Sequence, residues 1–492
     1  MTVVGLEPSL RLMPFRFERL AEPPGQVLLT QDGGDFIMLD TLAFTQVITS
    51  PDGLESGLRD DLLARGFLCH DGDQTAARIT AAQLATRKRF IGEGPSLHIC
   101  VVTLRCDHAC TYCQVSRRGP SAAGFDMSEI TARAAVRRIF ESRAPALTIE
   151  FQGGEPALAF DRVRQITSDA RARAKADGRI VQFSMVSTLQ RLDDDMLGFC
   201  RDHEIALSTS IDGPAALHDR HRQRPAGGAF EATLQALDRA RKFVGADGIA
   251  AIATITGDSI NHPEEVVDTY VEAGFRSIFV RPVAPYGFAR RHAGLAPSTQ
   301  DFIAFYRRAL DRCIAHSLAG RPIEEAYAAI LLTHILTPFG GNYVDLRSPA
   351  GAGLGVLVYD HDGGVYVSDE ARMLAATGDR RLRIGDVGMC MDQLMESQTI
   401  PALLASGLAE SLPGCWSCAF QPYCGNDPVH HLATCGDPVG HRAFSDHCAR
   451  HKALFKMLFA HIAAGDPAIN RVFSSWIGRQ TLADISGTVR LD

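Results

Sequence analysis

Short apolar runs alternate with longer segments of helical periodicity between Ser96 and Pro282. Six of the runs are rich in β-branched residues and read as strands; they span Leu97–Leu104, Ala146–Phe151, Ile180–Ser187, Ile205–Ile211, Ile249–Ile255 and Ser277–Val280. The stretches between them repeat apolar residues at helical spacing, as Met127, Ile130, Ala134 and Val136 do. Successive β-then-α units predict an α/β fold whose parallel sheet is either doubly wound or curled toward a barrel. Both arrangements place the chemistry at the carboxyl ends of the strands.

The pattern changes on both sides of this block. Before it, three short strands (Arg16–Leu20, Gln26–Thr30 and Asp35–Leu39) and a helix ending in Leu58–Phe67 predict a small α+β, winged-helix-like module. After it, Thr299–Leu336 is mostly helical, and the chain from Asn342 is rich in glycine and cysteine. An amphipathic helix is expected at 449–464. We therefore expect an N-terminal module at residues 1–92, a barrel at 93–298, a helical bridge at 299–341, a cysteine-rich domain at 342–455 and a helical tail at 456–492.

Composition places the 492-residue chain among multidomain globular proteins, with 46% hydrophobic and 22% charged residues. The net charge of −7 gives no reason to expect binding to nucleic acid. No signal peptide is read in the opening residues, and the most apolar helical stretch, Ala328–Leu336, is too short to cross a membrane. Thirteen cysteines without a secretion signal favour metal ligation or redox chemistry over structural disulfides, and a cytoplasmic location.

Three cysteines follow the first predicted strand of the barrel directly. Cys106, Cys110 and Cys113 have the spacing Cys-x3-Cys-x2-Cys on one loop. A structural zinc ion takes four ligands, whereas three thiolates on a four-iron cluster leave one iron open for a small molecule. A zinc site with His108 as its fourth ligand is the alternative.

A glycine pair ends the second strand in Gly153-Gly154-Glu155-Pro156. Two glycines at a strand end let another group approach the backbone, and a carboxylate beside them can accept bonds from an ammonium group. Alone, these residues could be only a turn. One βα unit after the three cysteines, they favour a ligand site.

Together these motifs resemble the radical S-adenosylmethionine (SAM) enzymes, and the resemblance covers about Leu97 to Pro282. It implies a partial (β/α)6 TIM-like barrel in which the open iron chelates SAM, and one electron then releases a 5′-deoxyadenosyl radical that abstracts hydrogen from a substrate. The cluster would be held by Cys106, Cys110 and Cys113. The resemblance implies SAM contacts at Tyr112 for the adenine, Gly153, Gly154 and Glu155 for the ammonium, Ser210 and Arg222 for the carboxylate, and Ser187 for the ribose. The family usually has Thr-Asn where this chain has Ser187-Thr188.

A second group of cysteines lies near the C-terminus, at Cys415, Cys418, Cys424 and Cys448. Four thiolates can close the coordination of zinc or of a 4Fe-4S cluster, and spacing alone does not choose between them. The spacing resembles the SPASM extension of peptide-modifying radical SAM enzymes, which implies an auxiliary 4Fe-4S cluster on these four residues. The region 342–455 would then be a SPASM-type domain.

The other half of a SPASM extension is missing its ligands. A complete extension binds a second, nearer auxiliary cluster, but Ser368 and Asp427 stand where its thiolates are expected. Cys390 and Cys435 remain, and two thiols do not easily hold a four-iron cluster. We expect this second auxiliary cluster to be absent. The proton acceptor of the reaction is not identified, and Asp427 is one candidate for it.

A further resemblance lies in residues 12–17, 278–288, 348–352 and 369–373. They are similar to the His-Xaa-Ser system maturases and related cyclophane-forming enzymes. This implies a ribosomally made, leader-guided precursor peptide as substrate, in which the enzyme forms a cross-link or makes a related oxidative modification. It also implies an external reductant of flavodoxin or ferredoxin type. The alternatives are a sulfatase-maturing type of enzyme that makes formylglycine and a catalytically inactive iron–sulfur protein that binds peptides.

The remaining cysteines give no such pattern. Cys69, Cys100, Cys200 and Cys313 fall on apolar strand or helix positions, where cysteine is most often a small buried hydrophobic residue.

Overall fold

A computed structural model describes residues 9–289, 294–338 and 343–484 of the chain. The ends of the predicted module and tail, and residue 342 at the predicted domain boundary, lie outside this range. The N-terminal elements are β1 (Leu10–Leu12), β2 (Arg16–Arg19), β3 (Gln26–Thr30), β4 (Phe36–Asp40), α1 (Thr41–Thr49), α2 (Ser56–Ala64), β5 (Leu68–His70), α3 (Thr75–Arg87) and α4 (Phe90–Glu93). Strands β2, β3 and β4 form an antiparallel sheet, and β1 pairs with β5. The prediction found β2 to β4 and missed β1 and β5, because three residues are too few to show alternation.

This N-terminal module packs on the C-terminal part of the chain. Thr30 Oγ1 donates to the carbonyl of Ala419 (2.7 Å), and the Tyr423 hydroxyl donates to the carbonyl of Gly34 (3.0 Å). The buried guanidinium of Arg87 donates to the carbonyls of Pro422 (3.2 Å), His334 (3.3 Å) and Thr337 (3.2 Å). The module therefore lies against the segment that carries the second cysteine group.

The central block contains all six predicted strands. Its elements are β6 (Leu97–Thr103), α5 (Glu129–Ile139), β7 (Ala146–Gly153), α6 (Phe160–Asp177), β8 (Ile180–Val186), α7 (Asp194–Asp202), β9 (Ile205–Ser210), α8 (Ala215–His221), α9 (Ala229–Val244), β10 (Ile249–Ile255), α10 (Pro263–Glu272) and β11 (Ser277–Pro282). The strands are parallel, and each pairs with the next along the chain from β6 to β11. Because this order never reverses, the sheet is wound in one direction, which favours the barrel over a doubly wound sheet.

One residue predicted to lie on the apolar face of the first barrel helix, Ile130, is exposed instead. Ser128 caps α5 by accepting a hydrogen bond from the N–H of Thr131 (3.0 Å), which fixes where the helix begins. Ile130 then falls in the first turn and is 79% exposed. The buried face of α5 is formed instead by the alanines that follow, together with Val136 and Ile139.

The C-terminal part continues the barrel sheet. Its elements are α11 (Thr299–Leu318), β12 (Glu324–Glu325), α12 (Ala326–Leu336), β13 (Val356–Tyr359), β14 (Gly364–Tyr366), α13 (Asp369–Ala376), β15 (Arg383–Asp386), α14 (Met391–Met395), α15 (Thr399–Gly407), α16 (Pro428–Cys435), α17 (Asp446–Ala464) and α18 (Pro467–Asp484). Strand β12 pairs with β11, and β13 pairs parallel with β6 and leads into β14 and β15. The sequence did not predict β13 to β15, which are only three or four residues long. Helix α17 runs without a break through the predicted boundary at 455/456. In the part of the chain that the structure describes, no helix is long and apolar enough to cross a bilayer.

Glu325, at the start of α12, is a buried carboxylate in this core. It accepts hydrogen bonds from the N–H groups of Val280 (3.1 Å) and Ala328 (2.6 Å), and from the hydroxyl of Tyr306. Burial outweighs these bonds and raises the pKa of Glu325 to about 7. The folded protein therefore binds this proton more tightly than the unfolded chain does. Consequently the free energy of unfolding falls as the pH rises from the ordinary pKa of 4.5 through about 7.

A Glu325→Gln variant removes this dependence. We expect the wild-type protein to lose about 3 kcal/mol relative to the variant between about pH 4 and about pH 8, at about 1.4 kcal/mol per pKa unit. Unfolding of both proteins by denaturant across this range measures the difference. The matched control is Glu204→Gln, at a side chain that is 85% exposed, and it should show no such trend. A difference for Glu325→Gln that stays constant with pH would contradict the assignment.

Candidate functional site

The three cysteines of the first group lie on one loop at the carboxyl end of β6, as predicted. The loop is fixed by backbone hydrogen bonds from Cys106 N to the carbonyl of Arg118 (2.9 Å) and from Thr111 N to the carbonyl of His221 (2.9 Å). His221 is the last residue of α8, so the loop is tied to the barrel on its far side. This restricts the backbone that carries the thiols before any ligand is bound.

Burial raises the pKa of two of these thiols, Cys106 and Cys110. It raises the pKa of Cys106 well above its ordinary value, and the charge of Glu155 adds to the effect. Burial also raises the pKa of Cys110 to about 11, opposed by the Arg222 guanidinium. Metal ligation requires thiolates, so these thiols need a nearby positive charge to ionise at neutral pH. One buried and two half-buried cysteines on one fixed loop fit the donor set of an iron–sulfur cluster with one open iron.

His108 does not complete this group as a fourth ligand. Its Nδ1 contacts Asp107 Oδ1 (3.0 Å), and its Nε2 contacts Gln190 Nε2 (3.4 Å). Both ring nitrogens therefore face other side chains, which argues against the zinc alternative. Among the described residues, no group of three or more His, Cys, Asp or Glu side chains lies at the spacing of a single-ion site. A four-iron cluster differs from such a site because each thiolate binds a different iron.

The glycine pair at the end of β7, Gly153 and Gly154, leaves room for the backbone of the cysteine loop. Gly154 N donates to the carbonyl of Thr103 (2.8 Å), and Glu155 N donates to the carbonyl of Arg105 (2.7 Å). A Cβ at Gly153 would lie 2.0 Å from the Thr103 oxygen, and one at Gly154 would lie 2.1 Å from the Arg105 oxygen. The backbone that comes close is therefore that of the loop, a role that our ligand-centred prediction did not include. Both glycines are partly exposed beside that loop.

Glu155 lies directly behind the glycine pair and is fully buried. Its carboxylate accepts hydrogen bonds from Ser187 Oγ (2.7 Å), Thr188 N (2.7 Å) and Ala157 N (3.1 Å). Burial nevertheless raises the pKa of Glu155. The structure thus brings together Glu155 and Ser187, two of the predicted SAM contacts, and joins them to each other. Their contact with SAM remains a prediction.

The other predicted SAM contacts meet around Asp212. The hydroxyl of Tyr112 donates to Asp212 Oδ2, Arg222 Nε donates to the same oxygen (3.2 Å), and Thr254 N donates to Oδ1 (3.3 Å). The Arg222 guanidinium also lies 5.6 Å from the centre of the Tyr112 ring. Ser210, two residues before Asp212, is half-buried at the end of β9.

Asp212 was missed by the sequence analysis. It is fully buried, and its contacts with Tyr112 and Arg222 position both residues. The available signal was a carboxylate next to a glycine at a strand end, in Ser210-Ile-Asp-Gly213.

The second cysteine group converges on one cavity. Cys415, Cys418, Cys424 and Cys448 all line it. Burial raises the pKa of Cys415, Cys418 and Cys424, and the charges of neighbouring thiols of the group raise each of them further. Thiols whose ionisation is disfavoured in this way fit a cationic centre that would neutralise their thiolates. The structure therefore brings these four cysteines together on one cavity, and their binding of a cluster remains a prediction.

A larger cavity of about 160 Å³, the central chamber, is lined by Gln114, Arg281, Tyr286, Asp345, Glu370 and Asp427, among others. Gln114 follows Cys113 of the first group. His447 and His451 line both the central chamber and the cavity of the second group. The chamber thus lies between the two cysteine groups.

The positions of the missing ligands have structural roles. Ser368 caps α13 by accepting a hydrogen bond from Ala371 N (3.2 Å), and Asp427 caps α16 by accepting one from His430 N (2.9 Å). Asp427 also lines the central chamber. Cys390 and Cys435 line neither of the two cavities. The predicted absence of a second auxiliary cluster remains a prediction.

The four cysteines predicted to be structural are buried. Cys69, Cys100, Cys200 and Cys313 are each no more than 2% exposed. Burial raises the pKa of Cys100 and of Cys200 to about 12, so these thiols stay neutral.

Comparison with known proteins gives a consistent picture. Residues 100–270 match the model of the Radical SAM superfamily. The cysteine-type anaerobic sulfatase-maturating enzyme of Clostridium perfringens is 22% identical, over 47% of this chain and 63% of that enzyme, which is under two thirds of its length. The chain therefore contains a radical SAM domain and is related to enzymes.

Two solved structures share the fold. The structure of anSMEcpe with bound AdoMet and the Kp18Cys peptide matches with a TM-score of 0.62 and 18% identity, over 77% of this chain and 100% of that chain. Streptococcus suis SuiB bound to its precursor peptide SuiA matches with a TM-score of 0.51 and 12% identity, over 89% of this chain and 100% of that chain. This chain therefore shares its fold with these two structures.

Proposed function

We propose that this chain is a cytoplasmic radical SAM peptide maturase that abstracts hydrogen from a side chain of a ribosomally made precursor peptide and forms a cross-link, a carbon–carbon cyclophane or a similar bond. One observation carries the proposal. Two separate cysteine groups, with three and four thiols, lie close to one chamber: Gln114, next to Cys113, lines it, and His447 and His451 line both this chamber and the cavity of the second group. The radical SAM domain supports it, and so do the peptide-bound structures of the same fold.

In this proposal, Cys106, Cys110 and Cys113 hold the SAM-binding 4Fe-4S cluster, and Cys415, Cys418, Cys424 and Cys448 hold one auxiliary 4Fe-4S cluster. When bound, the first cluster and SAM supply a 5′-deoxyadenosyl radical after uptake of one electron from an external reductant of flavodoxin or ferredoxin type. The residues proposed to bind SAM are Tyr112, Gly153, Gly154, Glu155, Ser187, Ser210 and Arg222.

The task of the protein itself is to orient the reactants and to exclude water. Asp212 holds Tyr112 and Arg222 in fixed positions by hydrogen bonds, at the end of β9. The chamber walls are formed by buried aromatic side chains, including Tyr286 and Tyr306, which restrict access of solvent. When the cross-link forms, the substrate must lose one more electron and a proton: an auxiliary cluster on the second cysteine group would accept the electron, and Asp427, on the chamber wall, is the candidate proton acceptor.

The N-terminal module is the proposed reader of a leader peptide. Its three-stranded sheet ends in β2 on one side and β4 on the other, and an extended peptide can add to such an edge. The module also packs beside the second cysteine group, which would bring a bound leader near the chamber. We propose neither a nucleic-acid nor a membrane partner.

A second candidate function is formylglycine formation, because the curated relative from Clostridium perfringens is a sulfatase-maturating enzyme. That chemistry oxidises one cysteine or serine to an aldehyde and joins no two residues.

Co-expression with a short open reading frame from the same gene neighbourhood tests both functions. For the maturase, we expect the peptide to lose two hydrogens per cross-link, and tandem mass spectrometry should find no fragmentation between the joined residues. The control is the same co-expression with the Cys106→Ala variant, which should leave the peptide unmodified. A product that fragments normally and reacts with a hydrazine would support formylglycine formation instead. A peptide that stays unmodified beside an enzyme active on SAM would contradict both.

A further inference from the structure

The central chamber is lined by more carboxyl groups than arginines. Asp345, Glu370 and Asp427 line it together with the guanidinium of Arg281. Arg281 is partly engaged elsewhere, since its Nη2 donates to Gln114 Oε1 (3.3 Å). Three carboxylates therefore face one arginine on this side of the chamber.

The remaining charged groups of the chamber do not correct this imbalance. Asp446 and Arg450 also line it, and Asp446 is held by His430 Nε2 (2.8 Å). His451 stays neutral because burial lowers its pKa to about 3. Within the described part of the chain, the lining thus holds four carboxylates and two arginines.

The small number of positive charges near these carboxyl groups is accompanied by raised pKa values. Desolvation in the chamber, together with the charges of Glu370 and Asp427, raises the pKa of Asp345 to about 7, although part of this residue is exposed to solvent. Burial and the charge of Asp427 likewise raise the pKa of Glu370. A cation placed among these groups would let them ionise at neutral pH and would be bound in return.

A second observation points to a ligand independently of these charges. Tyr286, in the segment that follows β11, is only 3% exposed, and its hydroxyl makes no hydrogen bond to any described residue. The same side chain lines the chamber. Burial and the charges of Asp427, Glu370 and Asp345 raise the pKa of its phenol. A buried hydroxyl without a partner costs about 1 to 3 kcal/mol, which a hydrogen-bonding ligand would recover.

The chamber has a volume of about 160 Å³, which is enough for one side chain. A lysine side chain has five heavy atoms, and its apolar stem suits the tyrosine rings of the wall, Tyr286, Tyr327 and Tyr343.

We propose that the central chamber binds the cationic side chain of a lysine or arginine of the substrate peptide, between Asp345, Glu370, Asp427 and the hydroxyl of Tyr286. This assignment rests on the proposed function, because it takes the substrate to be a peptide. The ammonium or guanidinium group donates hydrogen bonds to the carboxylates and to the phenol oxygen. It thereby fixes one residue of the peptide between the two cysteine groups.

Small amides test this assignment without a known precursor. The probes are the N-acetyl methylamides of lysine, arginine and the uncharged norleucine, measured by anaerobic equilibrium dialysis against the reconstituted protein with SAM and no reductant. We expect the lysine or arginine amide to bind at least about tenfold more tightly than the norleucine amide. Equal binding of all three, or displacement of the lysine and arginine amides by millimolar magnesium, would overturn the proposal.

Two variants locate the binding to this chamber. Glu370→Gln should weaken the cationic amides about tenfold and leave the norleucine amide unchanged. Tyr286→Phe should weaken binding of the cationic amides about fivefold. The fold should not be disturbed, because the hydroxyl has no hydrogen-bond partner among the described residues. The matched control Glu204→Gln changes an exposed carboxylate and should have no effect. Unchanged binding of the cationic amides in Glu370→Gln and Tyr286→Phe would also contradict the proposal.

The two proposals fail in different ways. If a precursor peptide is modified but the cationic amides show no preference, the chamber assignment is wrong and the maturase function stands. If the amides bind as expected but no peptide is modified, the maturase function is wrong. Iron content and SAM affinity equal to those of the wild type in each variant establish that the protein is intact.

Discussion

Replacement of Cys106, Cys110 or Cys113 by alanine is expected to abolish the formation of 5′-deoxyadenosine from SAM. Each thiol would bind a separate iron of the SAM-binding cluster, so none can substitute for another. Loss of a group that only supports a metal ligand typically costs 10 to 100-fold. Loss of a ligand should therefore exceed about a hundredfold. The measurement is the initial rate of 5′-deoxyadenosine formation under anaerobic conditions with dithionite and excess SAM.

The control for this experiment is Cys200→Ala. Cys200 is fully buried but lies on α7, and burial keeps its thiol neutral by raising the pKa to about 12. This variant should keep its iron and nearly the full rate, with at most a moderate loss of stability from the small cavity. A purified wild-type protein that binds one zinc at Cys106, Cys110 and Cys113 and lacks the absorption of iron–sulfur clusters would refute the assignment.

The barrel could be predicted because each strand is a long local signal. The six runs of β-branched residues are four to eight residues long, and they reappear in the structure within two residues of the predicted bounds. The two cysteine groups were equally visible, since their spacing is local except for Cys448. Cys448 joins the others because Ser445 caps α17 three residues earlier and places the thiol in the first turn.

What the sequence could not reveal depends on contacts between distant segments. The central chamber combines Arg281, Asp345, Glu370 and Asp427, which no local pattern connects. Strands β13 to β15 are three or four residues long and exist because they continue the edge of the barrel sheet at β6. The role of Gly153 and Gly154 was predicted as access for a ligand, whereas the backbone they admit is that of the neighbouring loop. The two glycines indicated that another group comes close to their backbone, but they did not indicate that this group is the loop backbone at Thr103 and Arg105.

Iron analysis is expected to give about eight irons per chain, two clusters of four each. Replacement of Cys415 by alanine should lower this to about four and abolish peptide modification, while 5′-deoxyadenosine should still form. The reason is the separation of the two groups by the central chamber, so that damage to one leaves the thiols of the other in place. The measurements are iron and sulfide content of the anaerobically reconstituted protein, and the yield of modified peptide.

Cys435→Ala supplies the matched control, because Cys435 lies in the same part of the chain but is exposed and lines neither cavity. It should keep about eight irons. About twelve irons in the wild-type protein would mean that a second auxiliary cluster is bound despite Ser368 and Asp427, and a fall to eight in Cys390→Ala or Cys435→Ala would identify its ligand. About four irons with one zinc per chain would assign the second group to zinc instead. Our prediction is met only by eight irons in the wild-type protein, of which Cys415→Ala loses four and Cys435→Ala loses none. This result would place one auxiliary cluster on the four thiols of the second group and none at Ser368 and Asp427.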